Sequence, residues 1–332
     1  MKHNSFWKAL PRPALMLAPM EDVTDTSFRE LVMRNAETGK LNVVFTEFTN
    51  TDGLCHPVGR EKVSFRLKVS PTERVLLKEK GVKIIAQIWG NNPDSFYKAT
   101  KYIVDNYHFD GIDINMGCPV KNVVANGCCS ALIDNEPLAG EIISATHAAT
   151  DLPLSVKTRL GVKKIDTERW IGFLLEQPIE AIILHGRIQK QMSEGEANWA
   201  EIGKAVKLRD QIAPDIKIIG NGDVETLADA ITKTDYYGVD GIMVGRGIFK
   251  NPWLFNTSID GVSMNERLDT LQEHIKLFEL AWGDTRHFAI LRRFFKIYLS
   301  DFRGASELRQ RMMETNNFQE TYELIARARN GL

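Results

Sequence analysis

In this 332-residue chain, the residues able to do chemistry recur at one kind of place, the end of a short apolar run. In chain order these ends supply Pro19–Met20, Thr46–Glu47, Gln87, Asn115 with Cys118, Lys157 with Arg159, His185 with Arg187, Asn221-Gly222-Asp223 and Gly245-Arg246-Gly247. The last two are the most specific. Their glycines let the backbone approach phosphate oxygens closely, and Arg246 can add a charge-assisted contact. They imply a phosphorylated substrate or a phosphorylated cofactor. Lys157 suits either a Schiff-base nucleophile or a cation beside an anionic ring nitrogen. The amide of Gln87 and the imidazole of His185 favour the second use, because amide, cation and imidazole together match the edge of a planar heterocycle such as a flavin. Cys118 lies in Asn115-Met-Gly-Cys-Pro119, where a turn follows a run. A thiol with a pKa of about 8.5 is mostly protonated at neutral pH and can donate a proton. That suits hydride transfer to a conjugated C=C, in which the second carbon needs an acid.

The runs that must hold these residues are Leu15–Met20, Val43–Phe48, Lys83–Ile88, Gly111–Met116, Leu152–Thr158, Ala181–Arg187, Lys217–Asp223 and Gly241–Gly247. Most are continuously apolar, as parallel strands buried on both faces are. Amphipathic stretches such as Asp94–Asn106 and Leu138–Thr150 lie between them. Eight strand–helix units predict an α/β fold, a (β/α)8 TIM barrel, with the site at the C-terminal ends of the strands. An open doubly wound sheet is the alternative, but it gives no reason for eight units. The long basic interval Thr49–Gly81 carries Arg60, Lys62, Arg66, Lys68, Arg74, Lys78 and Lys80. It falls on the same rim, and Phe65–Leu77 within it reads as a hairpin turning at Ser70–Pro71.

The composition is 43% hydrophobic and 26% charged, with a formal net charge of −1. This excludes collagen-like, disulfide-scaffold and disordered chains and counts against a uniformly basic nucleic-acid binder. The four cysteines show no C-x-x-C spacing, and no metal site is expected. Ala14–Met20 is too short for a signal core or a membrane span, so a cytoplasmic protein is expected. After Pro252 the repeat stops and a helical pattern follows, with breaks expected at Gly283, Gly304 and Asn316–Asn317. The division is therefore a barrel over 1–255 and a small all-α domain over 256–332. Asp260–Thr285 holds six acids against two bases, whereas Arg286–Met312 holds seven bases against two acids. Phe288, Phe294, Phe295, Tyr298 and Phe302 interleave with those bases. Such a stretch is either an aromatic core face backed by solvated cations or a surface for a phosphate backbone.

Ala18-Pro-Met-Glu21-Asp-Val-Thr-Asp25 with Phe28-Arg29, Asp113-Ile-Asn-Met-Gly-Cys-Pro-Val-Lys121 and Val156-Lys-Thr-Arg-Leu-Gly161 resemble the signatures of the tRNA-dihydrouridine synthases. So do His185-Gly-Arg187, Ile219-Gly-Asn-Gly-Asp223 and Gly245-Arg-Gly247 with Asn251-Pro-Trp253. The match runs in order from about residue 15 to 255. The resemblance implies an FMN enzyme that reduces specific tRNA uridines to dihydrouridine, with NADPH as electron donor and tRNA as partner. Carried over by position, it implies FMN contacts from Pro19, Met20, Glu21, Gln87, Lys157, His185, Asn221, Gly222, Asp223, Gly245 and Arg246. Cys118 would be the general acid, and Asn115, Arg159 and Arg187 would contact the uracil. The helical domain and rim loops would hold the RNA with its target base out of the stack.

Two segments depart from the family pattern. Where a Gly-Ala-Gly-like stretch usually follows Gly-Cys-Pro, this chain has Gly127-Cys-Cys-Ser130; the extra thiols are expected to be steric substitutes and bystanders, in an oxidation-sensitive loop. Ile188 replaces the usual Thr after His-Gly-Arg, and Gln191-Met-Ser193 lacks an aromatic. The nearest alternative is a flavin barrel acting on a free pyrimidine, like a dihydroorotate dehydrogenase. That reading gives the basic C-terminal stretch no task. A lysine aldolase leaves Cys118 and Gln87 without one, and a catalytically silent tRNA binder leaves the whole set of strand ends unexplained.

Overall fold

The computed structural model describes residues 5–258 and 261–330; Asp260, counted above among the acids, lies outside them. Eight parallel strands form the centre: β1 (Ala14–Leu17), β2 (Val43–Phe45), β3 (Lys83–Trp89), β4 (Gly111–Met116), β5 (Leu154–Arg159), β6 (Ala181–His185), β7 (Lys217–Asn221) and β8 (Gly241–Val244). Each pairs with the next, and β8 pairs with β1 in the register Ala14↔Gly241 to Leu17↔Val244. The sheet therefore closes into the TIM barrel expected from the eight runs. Thr49–Asn50 continues β2 beyond a break and pairs with Ile88–Trp89.

The two-residue alternation of a strand divides each run between an inner and an outer face. Outward residues such as Leu15, Ile84, Ile112, Val156, Ile182, Ile218 and Ile242 join the main apolar core under the helices. Inward residues Met16, Phe45, Ile85, Ile183, Ile219 and Met243 fill the barrel and meet Trp7, from the short helix Phe6–Ala9. One step further along three strands, Ile85 gives way to Gln87, Ile183 to His185 and Ile219 to Asn221. The interior is dry at its N-terminal end and polar at its C-terminal end.

Around the barrel run α1 (Thr26–Asn35), α2 (Pro71–Lys80), α3 (Pro93–Asn106), α4 (Glu136–Ala148), α5 (Thr167–Leu175), α6 (Trp199–Ile212) and α7 (Leu227–Tyr237). Asp25, Ser70, Asn92, Asn135, Asn198 and Thr226 cap the starts of all but α5 with side-chain oxygens. The hairpin expected over Phe65–Leu77 is not formed. Ser64–Leu67 is a 3-10 turn, and Ser70-Pro71 is the N-cap and first residue of α2. A Ser-Pro pair that reads as a turn is equally a helix start, since proline's missing N–H costs nothing in the first helical turn. Glu73 of α2 also ties the segment to Arg29 of α1 through hydrogen bonds of 2.7 and 2.8 Å.

The C-terminal stretch is helical, as expected: α8 (Met264–Trp282), 3-10 and helical turns over Phe288–Tyr298, α9 (Ala305–Glu314) and α10 (Phe318–Arg329). Gly283 ends α8, Gly304 precedes α9 and Asn317 caps α10. Among the described residues, no helix is long and apolar enough to cross a membrane. α8 packs on α1, and the Phe28 ring lies 5.3 Å from Phe294 and 5.6 Å from His274. One apolar cluster runs through both parts of the chain. Of the aromatics expected to face either core or solvent, Phe288, Phe294, Phe295 and Tyr298 are buried and Phe302 is half-buried. They are core.

His274 sits in that core with Nδ1 2.9 Å from the Tyr298 hydroxyl, and burial pulls its pKa down to about 4. In the unfolded chain it takes up its proton near pH 6.5, so between pH 6.5 and 4 the unfolded state binds more protons than the folded one. Stability present above that window is lost as pH falls through it, by on the order of 3 kcal/mol. Urea unfolding should show this slope in the wild type and a flatter one in His274→Gln.

Candidate active site

The polar end of the barrel interior is a hydrogen-bonded layer. Asp113, wholly buried, accepts from Gln87 Nε2 at 2.7 Å and Ser155 Oγ at 2.6 Å. Burial pushes its carboxyl up to about 7. Gln87 Oε1 accepts from Asn115 Nδ2 at 3.2 Å, and Asn115 Oδ1 accepts the backbone N–H groups of Gly117 and Cys118, both at 3.0 Å. The strand thus fixes the turn that carries Cys118. Lys157 Nζ donates to Asn221 Oδ1 at 3.1 Å, and Asn221 Nδ2 donates to the Met243 carbonyl at 2.8 Å. Burial, then the neighbouring Arg159, pulls Lys157 down to about 8.

Above this layer a cavity of about 430 Å³ opens at the ends of β5 to β8 and β1. Of the residues predicted from sequence, Pro19, Met20, Lys157, Arg159, His185, Arg187, Asn221, Gly222, Asp223, Gly245 and Arg246 line it. Its charge is predominantly positive. Burial and the four cations Lys157, Arg159, Arg187 and Arg246 hold His185 well below its ordinary pKa, as a neutral imidazole. Asp223 accepts from Arg187 Nη2 at 2.6 Å and lies 3.3 Å from Arg246 Nη2, so its carboxylate orients two of these cations. Gly222 has φ +121°, and a Cβ there would stand 2.7 Å from Ala197 Cβ; only glycine fits. A Cβ on Gly245, by contrast, would find its nearest neighbour, Ala18 Cβ, at 3.8 Å. The backbone beside Arg246 is accordingly open to the cavity.

Other predicted residues stand elsewhere. Gln87 and Asn115 lie in the layer below the cavity. Glu21 is paired with Arg66, whose Nε donates at 3.1 Å. Arg187, although it borders the cavity, is almost wholly buried and also binds the Gly195 carbonyl, tying down the segment before α6. Arg159 spends Nε on the Gly117 carbonyl at 2.7 Å and Nη1 on the carbonyls of Ile188 and Met192. The 188–193 stretch that departs from the family pattern is therefore held by the side chain beside Cys118.

Cys118 is half-buried, and its thiol stands beside that of Cys129, whose neighbour Ser130 donates Oγ to the Cys118 carbonyl at 2.8 Å. The Cys129 thiol, a backbone hydrogen bond from Val120 and the charge of Arg159 together pull Cys118 down to about 7 against the effect of burial. Cys129 is wholly buried with φ +54°, and its own pKa is pushed well above the ordinary thiol value. The expectation that Cys128 and Cys129 are bystanders is corrected for Cys129.

Sequence reasoning noted Glu47 without giving it a task. It is fully buried, accepts the N–H of Asp22 on Oε1 at 2.7 Å, and is pushed up to about 7 by burial and by Asp25. Asp22 has φ +57° and belongs to the loop that carries Met20 into the cavity. Arg286, from the helical stretch, reaches Asp22, Asp25 and Glu47 at 3.7, 3.5 and 3.9 Å. Arg293 donates to the Asp22 carbonyl at 2.9 Å, and Arg292 to the Thr315 carbonyl at 2.7 Å. With Arg309, which donates to the Leu299 carbonyl at 3.0 Å, four of the seven bases of that stretch are committed to contacts within the protein. Lys296 and Arg303 are exposed. A groove between the barrel rim and the helical stretch is lined by Lys250, Arg293 and Lys296 among others, and Lys250 also borders the cavity.

A family model described as dihydrouridine synthase matches residues 16–330. A protein of Bacillus subtilis (strain 168) named "Probable tRNA-dihydrouridine synthase 2" is 44% identical over 324 residues, 97% of this chain and 96% of its own. One of Staphylococcus epidermidis (strain ATCC 35984), named "Probable tRNA-dihydrouridine synthase", is 45% identical over 327 residues, 98% of this chain and 96% of its own. Among solved structures, 6-hydroxypseudooxynicotine amine oxidase from Pseudomonas geniculata N1 superimposes with a TM-score of 0.55 at 10% identity, over 77% of this chain and 50% of that one. Histamine dehydrogenase from Rhizobium sp. 4-9 does so with a TM-score of 0.52 at 11% identity, over 80% and 49%. These two likenesses concern the barrel fold alone. With a family model spanning almost the whole chain and relatives of matching length at 44–45% identity, the chain belongs to the dihydrouridine synthase family.

Proposed function

We propose that this protein reduces the C5=C6 bond of uridine in tRNA to 5,6-dihydrouridine, using bound FMN re-reduced by NADPH. The observation that carries the reading is the thiol of Cys118 held at the end of β4, beside a cation-lined cavity at the ends of β5 to β8. The residues fit FMN. Open backbone at Gly245 and the guanidinium of Arg246 suit its phosphate, with Asn221 and Gly222 alongside. Lys157 and the neutral His185 suit the ring edge, and Pro19 and Met20 flank it; Gln87, with both ends of its amide spent on Asp113 and Asn115, would act only by bracing the layer beneath. Asp223 would act through the two arginines it orients, since its own charge opposes a phosphate. Glu21 would contribute by anchoring the Met20 loop through Arg66.

The chemistry reduced FMN supplies when bound is a hydride for C6 of the uracil. Cys118 supplies the proton for C5. Lys157 offsets negative charge at the ring, as a preorganised cation in a site partly screened from water. Arg159, which lines the cavity beside the thiol, is the residue placed to orient the base; Asn115 would act by holding the turn that carries Cys118, and Arg187 chiefly holds the segment at Gly195. The uridine has to leave its stack to reach this depth. The groove bordered by Lys250, Arg293 and Lys296 gives the flanking phosphates a path between the barrel and the 256–332 region, which would serve as the RNA-holding domain. A tRNA substrate puts the enzyme in the cytoplasm.

Mass-spectrometric mapping of dihydrouridine on tRNA incubated with the yellow, FMN-loaded protein and NADPH tests the whole reading. A colourless protein that FMN cannot reconstitute, or tRNA left unmodified, would refute it. The surface assignment has its own test. Lys296→Glu combined with Arg303→Glu should weaken tRNA binding more than tenfold and reduce its dependence on salt, because each lost phosphate contact removes about one unit of the salt slope. Unchanged affinity would make the helical region purely structural.

A further inference from the structure

Cys118 is partly exposed, whereas Cys129, whose thiol stands beside it, is wholly buried. Cys128 turns its thiol to the Asn126 carbonyl 3.7 Å away, and Cys55 donates to the Ser95 carbonyl at 3.5 Å. Ser130 Oγ donates to the Cys118 carbonyl at 2.8 Å, which clamps the two cysteine-bearing segments together. We propose that Cys118 and Cys129 are a modification site: under peroxide they form a reversible disulfide, with Cys129 as the resolving thiol.

The electrons balance in two steps. The Cys118 thiolate attacks a peroxide oxygen; an S–O bond forms, the O–O bond breaks, and the departing hydroxide takes a proton to become water. Cys129 sulfur then attacks the sulfenic sulfur of Cys118; an S–S bond forms, the S–O bond breaks, and the hydroxide leaves as water with the Cys129 proton. Two thiols lose two electrons and two protons, and one peroxide becomes two waters. The two neighbouring sulfurs must close to about 2.05 Å. The connection between them can yield, because most of it is the short helix Lys121–Ala125, none of it buried, and a turn at Gly127 with φ +73°. The thiolate character that Cys118 gains from its neighbours directs the first step to it, and burial protects Cys129 from direct oxidation.

The site stands on the two thiols; only its effect on turnover rests on the function proposed above. The flavin-loaded protein is treated with a few equivalents of hydrogen peroxide, alkylated, digested and read by mass spectrometry. The expected product is a peptide pair joined through Cys118 and Cys129, with two of the four thiols lost to titration and restored by dithiothreitol. In Cys129→Ala the same dose should drive Cys118 to the sulfinic acid, heavier by about 32 Da and not restored. Cys128→Ser should form the cross-link as the wild type does. A cross-link to Cys128, no cross-link, or unchanged reversible oxidation of Cys118 in Cys129→Ala would overturn the proposal. A cross-linked protein that still forms dihydrouridine at full rate would leave the modification standing and remove Cys118 as the acid.

Discussion

Cys118→Ala should retain its flavin spectrum and lose dihydrouridine formation by a factor of about 100 or more. A positioned general acid contributes on the order of 10² to 10⁴ in rate, and alanine removes the proton while changing little of the fold. The thiol lies outside the lining of the cavity assigned to FMN, so cofactor affinity should stay within a few-fold. The pH dependence carries the same signature. With Cys118 held at about 7, the acid is protonated below that value and competent; the chemical step should slow as pH rises through 7. Cys129→Ala removes the largest influence holding that pKa down, so its alkaline limb should move upward. Single-turnover rates measured from pH 6 to about 9 check both. Full activity in Cys118→Ala would remove this residue from the chemistry, and an unmoved limb in Cys129→Ala would separate the thiol contact from the titration.

Arg29→Ala should cost about 3–5 kcal/mol of stability, the largest loss expected from a single change in this chain. Arg29 and Glu73 are fully buried and joined by two charge-assisted bonds. The same guanidinium binds the carbonyls of Thr24 and Lys68 at 2.7 and 2.8 Å. Removing the arginine leaves a buried carboxylate without its counter-ion, and that loss is what makes the change severe. Removing both charges together, as Arg29→Met with Glu73→Leu, should recover much of it. Urea denaturation of the single and double variants measures the difference. A single variant within about 1 kcal/mol of wild type would mean that Glu73 finds water or a proton at little cost.

The barrel was legible because a doubly buried parallel strand leaves a continuous apolar run, and six of the eight runs keep most of their length as strands, Leu15–Met20 and Val43–Phe48 keeping half. Val43–Phe48 is shorter as a strand, because Thr46 and Glu47 leave the ladder to make a break. The cavity lining was legible because strand ends converge whatever the loops between them do. What stayed hidden depended on contacts between residues far apart in sequence. Ser70-Pro71 starts a helix rather than a turn because Glu73 must reach Arg29. Arg286 and Arg293 read as free cations, and only the folded chain brings Asp22, Asp25 and Glu47 against them. Cys129 read as filler, since nothing in Gly127-Cys-Cys-Ser130 says which sulfur meets Cys118. A charge or a thiol shows its type in sequence; its partner belongs to the fold.

The unbroken apolar cluster shared by α1 and α8 also bears on how such enzymes can diversify. A chain cut after Phe255 would uncover Phe28 and its neighbours on α1, and it would leave Asp22, Asp25 and Glu47 without Arg286. The helical part, proposed above to hold RNA, is therefore no cassette to be traded between relatives. On that proposal, a lineage that changes which nucleotide it reaches would do so by altering exposed positions such as Lys296 and Arg303, keeping the seam that joins the two halves.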